Sequence, residues 1–233
     1  MNKLSGFVAG LCLIVLVVAP VPAFAQREAD SPYEVINGRP QDFTEFEELA
    51  SGPMPWVRDR TFVPDYRAMH IAQTKRFEAF LDKYPNSPLR PEALLRMAIL
   101  YLVVESPEIH MFRQQLFFCQ GIALEQRSKQ KMDLCQQRFQ LSVASSDNPM
   151  DPVYQFLGQQ ILERLVIQYP RARRYIMVGG EFRFDDEEIG AIALYVLAQG
   201  MMPKDKILHY ETIILEYKIR KELRQEIQNR LGH

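Results

Sequence analysis

Apolar residues recur at three- and four-residue spacing along most of this chain, and proline- and glycine-bearing breaks divide them into helices. From Tyr66, the positions Met69, Ala72, Phe77, Phe80, Leu81 and Tyr84 form one apolar face. Pro85-Asn86-Ser87-Pro88 stops that helix, and Pro91 opens the next, whose buried stripe is Leu94, Leu95, Ala98, Ile99 and Leu102. A third helix starts at Ser106-Pro107-Glu108 and runs through Phe112, Leu116 and Ile122. A fourth covers Lys131 to Val143, and the loop Ser145 to Pro149 follows. Asp151-Pro152 opens a helix through Phe156, Leu157, Ile161, Leu165 and Val166 that ends at Tyr169-Pro170. Two final helices are predicted from Pro203 to about Tyr217 and from about Arg220 to Leu231.

One interval breaks the helical period. Tyr175 to Val178 and Glu181 to Phe184 read as two short strands around Gly179-Gly180, a small β-hairpin near 175–184 that must lean on neighbouring helices. Asp185-Asp186-Glu187-Glu188 then reads as an acidic helix start before Ile189 to Leu197, with Gly200 as its stop. The expected fold class is all-α, with this hairpin as the exception.

The chain's first 65 residues are of two other kinds. Lys3 precedes an apolar run from Phe7 to Ala19, Pro20 and Pro22 break it, and Ala23-Phe24-Ala25 supplies a small-x-small site. This order predicts a secretory signal peptide over residues 1–25, cut between Ala25 and Gln26, and a periplasmic destination. The alternative is a retained N-terminal anchor, although Leu4 to Ala19 is shorter than the roughly 20 residues that span a bilayer core. Residues 26–65 hold Pro32, Pro40, Pro53, Pro55 and Pro64 and acidic residues from Asp42 to Glu48. They read as an extended, proline-rich arm in which only Phe43 to Leu49 could form a short helix. Trp56, the sole tryptophan, either pins this arm to the body or rides on a tether. Residues 66–233 are the helical domain.

Cleavage carries off Cys12 and leaves Cys119 and Cys135. On one continuous helix, sixteen residues apart, they would be about 24 Å from each other and could not bond. If the chain turns near Arg127-Ser128-Lys129 they become level across an antiparallel hairpin, and a disulfide fits an exported protein. The other reading is two unpaired, buried thiols packing as small apolar residues.

Composition narrows the function. Lys plus Arg number 28 and Asp plus Glu 29, so no basic surplus draws the chain to nucleic acid. Hydrophobic residues at 47% supply a real core even after the apolar leader is set aside. No phosphate loop, dinucleotide fingerprint or nucleophile elbow occurs. His70, His110, His209 and His233 have no second metal ligand at helical spacing, and no cofactor or metal is expected. Asp185 to Glu188 could offer oxygens to a divalent cation, but an acidic helix start already accounts for them. Glu92, Glu105, Glu163 and Glu211 lie on helices and are the carboxylates that a catalytic acid would have to come from. Arg171, Arg173 and Arg174 are the densest basic cluster of the folded part, suited to an acidic partner segment, acidic lipid headgroups or a glycan carboxylate. As a solvated helix end they would serve the helix dipole instead.

Three stretches align without gaps: Phe77 to Tyr84, Leu162 to Tyr169 and Tyr210 to Tyr217. Each opens on a large apolar residue followed by Glu and closes on Tyr, with proline next in the first two. Phe77-x-x-Phe80-Leu81-x-x-Tyr84-Pro85-x-Ser87, together with Ala93-Leu94-Leu95-x-x-Ala98-x-x-Tyr101, resembles tetratricopeptide-type repeats of bacterial envelope proteins. The nearest flavour is that of the outer-membrane assembly lipoprotein D and the Tol–Pal-associated coordinator. The starts of the three stretches are 85 and then 48 residues apart rather than the regular 34 of tandem repeats, and the lipid-bearing cysteine of the lipoprotein relatives is missing. The resemblance implies an irregular stack of helical hairpins and an adaptor or assembly factor. It would bind an envelope protein or peptide segment, outer-membrane or peptidoglycan-associated, in a groove. The alternative from another class is a peptidoglycan-acting hydrolase or lytic enzyme on a helical scaffold.

Overall fold

A computed structural model of the chain describes residues 35–36, 39–58, 63–201 and 204–232. The leader with its Ala25–Gln26 junction lies outside these residues, as does His233. Among the described residues two short strands, β1 (Val35–Ile36) and β2 (Arg39–Pro40), precede α1 (Gln41–Ser51), α2 (Tyr66–Lys83), α3 (Arg90–Leu102), α4 (Pro107–Glu125), α5 (Lys129–Ala144) and α6 (Pro152–Gln168). The antiparallel pair β3 (Arg173–Val178) and β4 (Glu181–Glu188) follows, then α7 (Ile189–Met201), α8 (Lys204–Ile214) and α9 (Lys221–Leu231).

The helix starts are written in side chains. Asp65 accepts from Ala68 N, Ser106 from Ile109 N, Ser128 from Lys131 N and Asp151 from Val153 N, each satisfying an amide that has no partner inside its helix. Two helix ends share one device. Tyr84 and Tyr169 each donate N–H to the carbonyl four residues back, at 2.9 Å, and each precedes a proline, which disfavours continued helical backbone. The third aligned tyrosine differs: Tyr217 N bonds Ile214 O three residues back, in a turn.

The body is a row of neighbours: α2 lies on α3, α3 on α6, α6 on α7 and α7 on α8. Its core is built from Phe77, Phe80, Leu89, Leu95, Leu162, Leu165 and Ile189, with a smaller cluster of Ala191, Leu194, Ile214 and Ile227 towards the C-terminal end. The crossing of α3 and α6 is close, because Gly158 faces Ala98; a Cβ at 158 would stand 2.9 Å from Ala98 O. Among the described residues no helix is long and apolar enough to cross a membrane.

Three expectations change. The short helix allowed within the proline-rich arm is present and longer, 11 residues, and it is no tether, because its Phe46 and Leu49 are core residues. Phe43 and Phe46 meet Tyr175 edge-on at 5.3 and 5.9 Å, and Tyr175 Oη donates to Glu47 at 2.6 Å, so α1 is seated on β3. Trp56 does not do the pinning; it is 61% exposed, with Arg58 over its ring. The acidic run Asp185 to Glu188 is strand, not helix start. The ladder extends to Arg173 opposite Glu188, while Gly179 and Gly180 take the positive φ of the turn (64° and 92°). On α3, Ile99 faces outward instead of joining the buried stripe.

Candidate partner-binding surface

Between α3 and α6 the chain leaves the body and returns, and α4 and α5 form that excursion. Its neck is two backbone segments side by side: Ser106 N donates to Pro149 O at 3.0 Å and Asp151 N to Val104 O at 2.9 Å. Arg67 of α2 clamps the neck, with Nη2 2.8 Å from Asp151 Oδ2 and Nη1 3.3 Å from Glu105 O. Just beyond it, Arg113 pairs with the buried Glu105 carboxylate and lies over Tyr66 and Phe139. Tyr66 and Phe117 stack with centroids 6.3 Å apart. The base of the excursion is therefore fastened to α2 by charge and aromatic contact.

Two histidines sit at this base. His110 Nδ1 lies 3.6 Å from Asp65 Oδ1. His70 is half-buried, and among the described residues its Nδ1 has no hydrogen-bond partner. Burial pushes its pKa below the ordinary imidazole value, with Glu105 opposing and Arg113 reinforcing the shift. His209 lies edge-on to Tyr210 on α8.

At the far end the chain reverses through Gln126 to Ser128, with Arg127 at φ 48°, as the hairpin reading of the two cysteines required. Cys119 and Cys135 are bonded, with Cα atoms 5.8 Å apart. The seam between the helices holds Leu116, Ala123 and Cys135. Across α4 from Ile109, Leu116 and Ala123, helical spacing brings Met111, Phe118 and Ile122 into one outer stripe, all exposed, Phe118 at 70%. On α5, Leu134 and Leu141, seven residues apart, are exposed on one face. On α6, Val153, Phe156, Leu157 and Ile167 (75% exposed) form another outward face, opposite the buried Gly158, Leu162 and Leu165. Exposed apolar residues aligned in this way mark interaction surfaces.

The middle of the excursion is also almost uncharged. Residues 114–124 carry no charged side chain and 132–144 carry Asp133 and Arg138, while eight glutamines fall between Gln114 and Gln140. The sequence pattern alone did not single out these stripes. The available signal was that α4 and α6 have more apolar positions than one buried face can hold.

The arginine cluster is placed differently from an open basic patch. Arg174 Nε is 2.7 Å from Glu92 Oε2 and its Nη1 is 3.5 Å from Glu187 Oε2. Arg171 Nη1 is 2.7 Å from Glu188 Oε2, and Arg173 Nη2 is 3.1 Å from Asp186 Oδ1. These guanidiniums tie β3 to β4 and to α3, and Arg171 also lies over the Tyr217 ring. The four carboxylates they meet are Glu92, 79 or more residues before the arginines, and the consecutive Asp186, Glu187 and Glu188, and the sequence gave no sign of these pairings.

The carboxylates singled out for catalysis are scattered. Glu92, 1% exposed, has Arg96 and Arg174 on its oxygens and Tyr175 N 3.4 Å away. Glu105 pairs with Arg113, Glu211 with Arg230, and Glu163 is exposed on α6. A cavity of about 330 Å³ lies between the end of β4 and the start of α9, lined by Asp185, Asp186, Glu187, Lys218, Arg220 and Arg224. Glu187 is paired on both oxygens there, with Arg220 and Arg174, and Arg224 is bound to the carbonyls of Leu215 and Tyr217. Among the described residues no group of three or more His, Cys, Asp or Glu side chains is arranged to hold a metal ion. Comparison with protein-family models, with curated proteins and with solved structures found no match to this chain.

Proposed function

We propose that this chain is an exported adaptor or assembly factor of the bacterial envelope, periplasmic after loss of its leader, and that it docks another envelope protein or peptide segment. The observation that carries the reading is the outer stripe of α4, Met111, Phe118 and Ile122, held away from the body on a stapled pair of helices. A surface of this kind, apolar with neutral glutamines around it, fits an apolar helix or peptide. Acidic lipid headgroups and glycan carboxylates are anions and call for clustered cations, which the middle of α4 and α5 lacks.

In this reading the body is an irregular tetratricopeptide-like stack. Its support is the run of neighbours α2, α3, α6 and α7 and the Tyr-Pro helix ends at Tyr84 and Tyr169. The arginine cluster, with its carboxylate partners on β4 and α3, contributes rigidity to the body rather than the docking itself.

The test is photo-cross-linking in cells from position 118, with position 163 on α6 as a comparison site. Recovery of one envelope protein from position 118, lost when Leu134 and Leu141 are both changed to Lys while the folded protein remains, is the expected result. Release of glycan fragments from peptidoglycan by the purified protein would overturn the adaptor reading in favour of the hydrolase alternative. Mass spectrometry of the exported chain addresses the leader separately: a mature N-terminus at Gln26 is expected, and one at Met1 would establish the retained anchor.

A further inference from the structure

Apart from the disulfide, α5 is held by a half-buried inner face and by the Arg113 guanidinium over its Phe139 ring. Of its 16 residues one is buried, Cys135, at 4% exposure. Met132, Phe139, Ser142 and Val143 lie on the same inner face and are half-buried. α4 contributes three buried residues, of which Ile109 belongs to the base. Helices of this length owe their stability to the apolar face they bury, and α5 buries only Cys135 fully. The body differs, with Leu89, Leu95, Leu162, Leu165 and Ile189 all inaccessible. The stack of Phe117 on Tyr66 fastens α4 to α2, and the staple lies beyond that point along α4, at Cys119.

We propose that the oxidation state of Cys119 and Cys135 switches residues 118–144 between an ordered, docking-competent hairpin and an unravelled segment, while the body stays folded. The regulatory meaning rests on the docking reading above; the change of order does not.

The chemistry is thiol–disulfide exchange. In the reduced chain one cysteine thiolate attacks a disulfide RSSR of a small-molecule or protein oxidant, forming a mixed disulfide and releasing one RS⁻, which is protonated. The second thiolate attacks the protein-side sulfur and expels the other RS⁻. Two thiols and one RSSR become one protein disulfide and two RSH, and two electrons pass to the oxidant. An added dithiol reverses both steps, entering at half-buried Cys119 rather than at buried Cys135. The direction of regulation follows: the docking hairpin orders only after the chain reaches an oxidising compartment.

Closing a loop of about 15 residues shifts the order–disorder equilibrium by on the order of a hundredfold. Hydrogen exchange of the intact protein, followed by mass spectrometry with and without dithiothreitol, should therefore show amides of residues 118–144 exchanging about a hundredfold faster once thiol labelling confirms reduction. Peptides of α2, α3 and α6 should keep their protection. The Cys119→Ser, Cys135→Ser double variant should match the reduced protein without added reductant. Unchanged protection over 118–144 in the reduced protein would overturn the proposal, and so would loss of protection in hairpin and body together. Cross-linking from position 118 separates the two readings. Equal cross-linking in the double variant would sink the switch and leave docking standing. A hairpin that loosens on reduction but never cross-links would sink docking and leave the order change standing.

Discussion

Arg174 on β3 and Glu92 in the first turn of α3 meet across 82 residues of sequence, Nε to Oε2 at 2.7 Å, at a point where the carboxylate is 1% exposed. The pair sits in a chain of alternating charge, Arg96, Glu92, Arg174, Glu187 and Arg220, which ties α3 to the β-hairpin and the hairpin to the start of α9.

Replacing Arg174 by Met should expose this dependence. Removing one partner of a buried pair costs about 3–5 kcal/mol, and Arg96, left on Glu92, should hold the loss near the lower figure. Arg171→Met should cost less than about 1 kcal/mol, because that side chain is 59% exposed and Glu188 keeps the Lys218 amide at 2.8 Å. Urea unfolding of the two variants decides it: equal, negligible losses would mean the cluster does not brace the β-hairpin.

Two glycines should respond in opposite directions to alanine. At Gly190, in the first turn of α7, a Cβ would stand 2.5 Å from Pro170 O, so the backbone itself must move, and Gly190→Ala should cost about 1–3 kcal/mol. At Gly121, in mid-α4, nothing lies within 4 Å, and Gly121→Ala should stabilise the helix by up to about 1 kcal/mol. Thermal unfolding midpoints that move the same way in both variants would contradict the packing described.

Acid should weaken the base of the α4–α5 excursion through His70. The folded state holds this imidazole below its ordinary pKa, chiefly by burial, while the unfolded chain takes its proton near pH 6.5. Unfolding thus takes up a proton as the pH drops below about 6.5, so the contribution of His70 is whole above that pH and declines towards the folded value. Wild type measured against His70→Gln should lose part of its advantage between pH 7.5 and 5.5 in urea titrations. A difference that stays constant would refute the assignment.

Alkali should act through Tyr101. Its phenol is pushed up to about 12 by burial, and next by the hydrogen bond it donates to Glu78. Between pH 10 and 12 the unfolded chain has released this proton and the folded chain has not, so stability falls as pH rises through that window. Tyr101→Phe, although less stable at neutral pH for want of the Glu78 bond, should show a shallower decline, read from denaturant midpoints at pH 9.5 and 11.

Much of the secondary structure was legible because its signals are local. Proline in a first turn, a Ser or Asp cap and a Tyr-Pro end act within four residues, so the starts of α4 and α6 and the ends of α2 and α6 followed from short stretches. The glycine turn at 179–180 was equally local. Asp185 to Glu188 misled for the same reason: an acidic run before an apolar run reads as a helix start, and only a partner strand 12 to 15 residues earlier makes it a strand.

The chain by itself determined an α-rich architecture, its breaks and the geometric condition for a Cys119–Cys135 bond, since each depends on neighbours in sequence. Tertiary structure decided what each face meets. It placed Phe46 in the core and left Phe118, Phe156 and Ile167 outside, and it turned Arg171, Arg173 and Arg174 from a basic run into internal braces. Helical period says which residues share a face but not what covers it. That depends on contacts such as Arg174 to Glu92, which form only when segments 80 or more residues apart are packed together and the buried charge needs a partner.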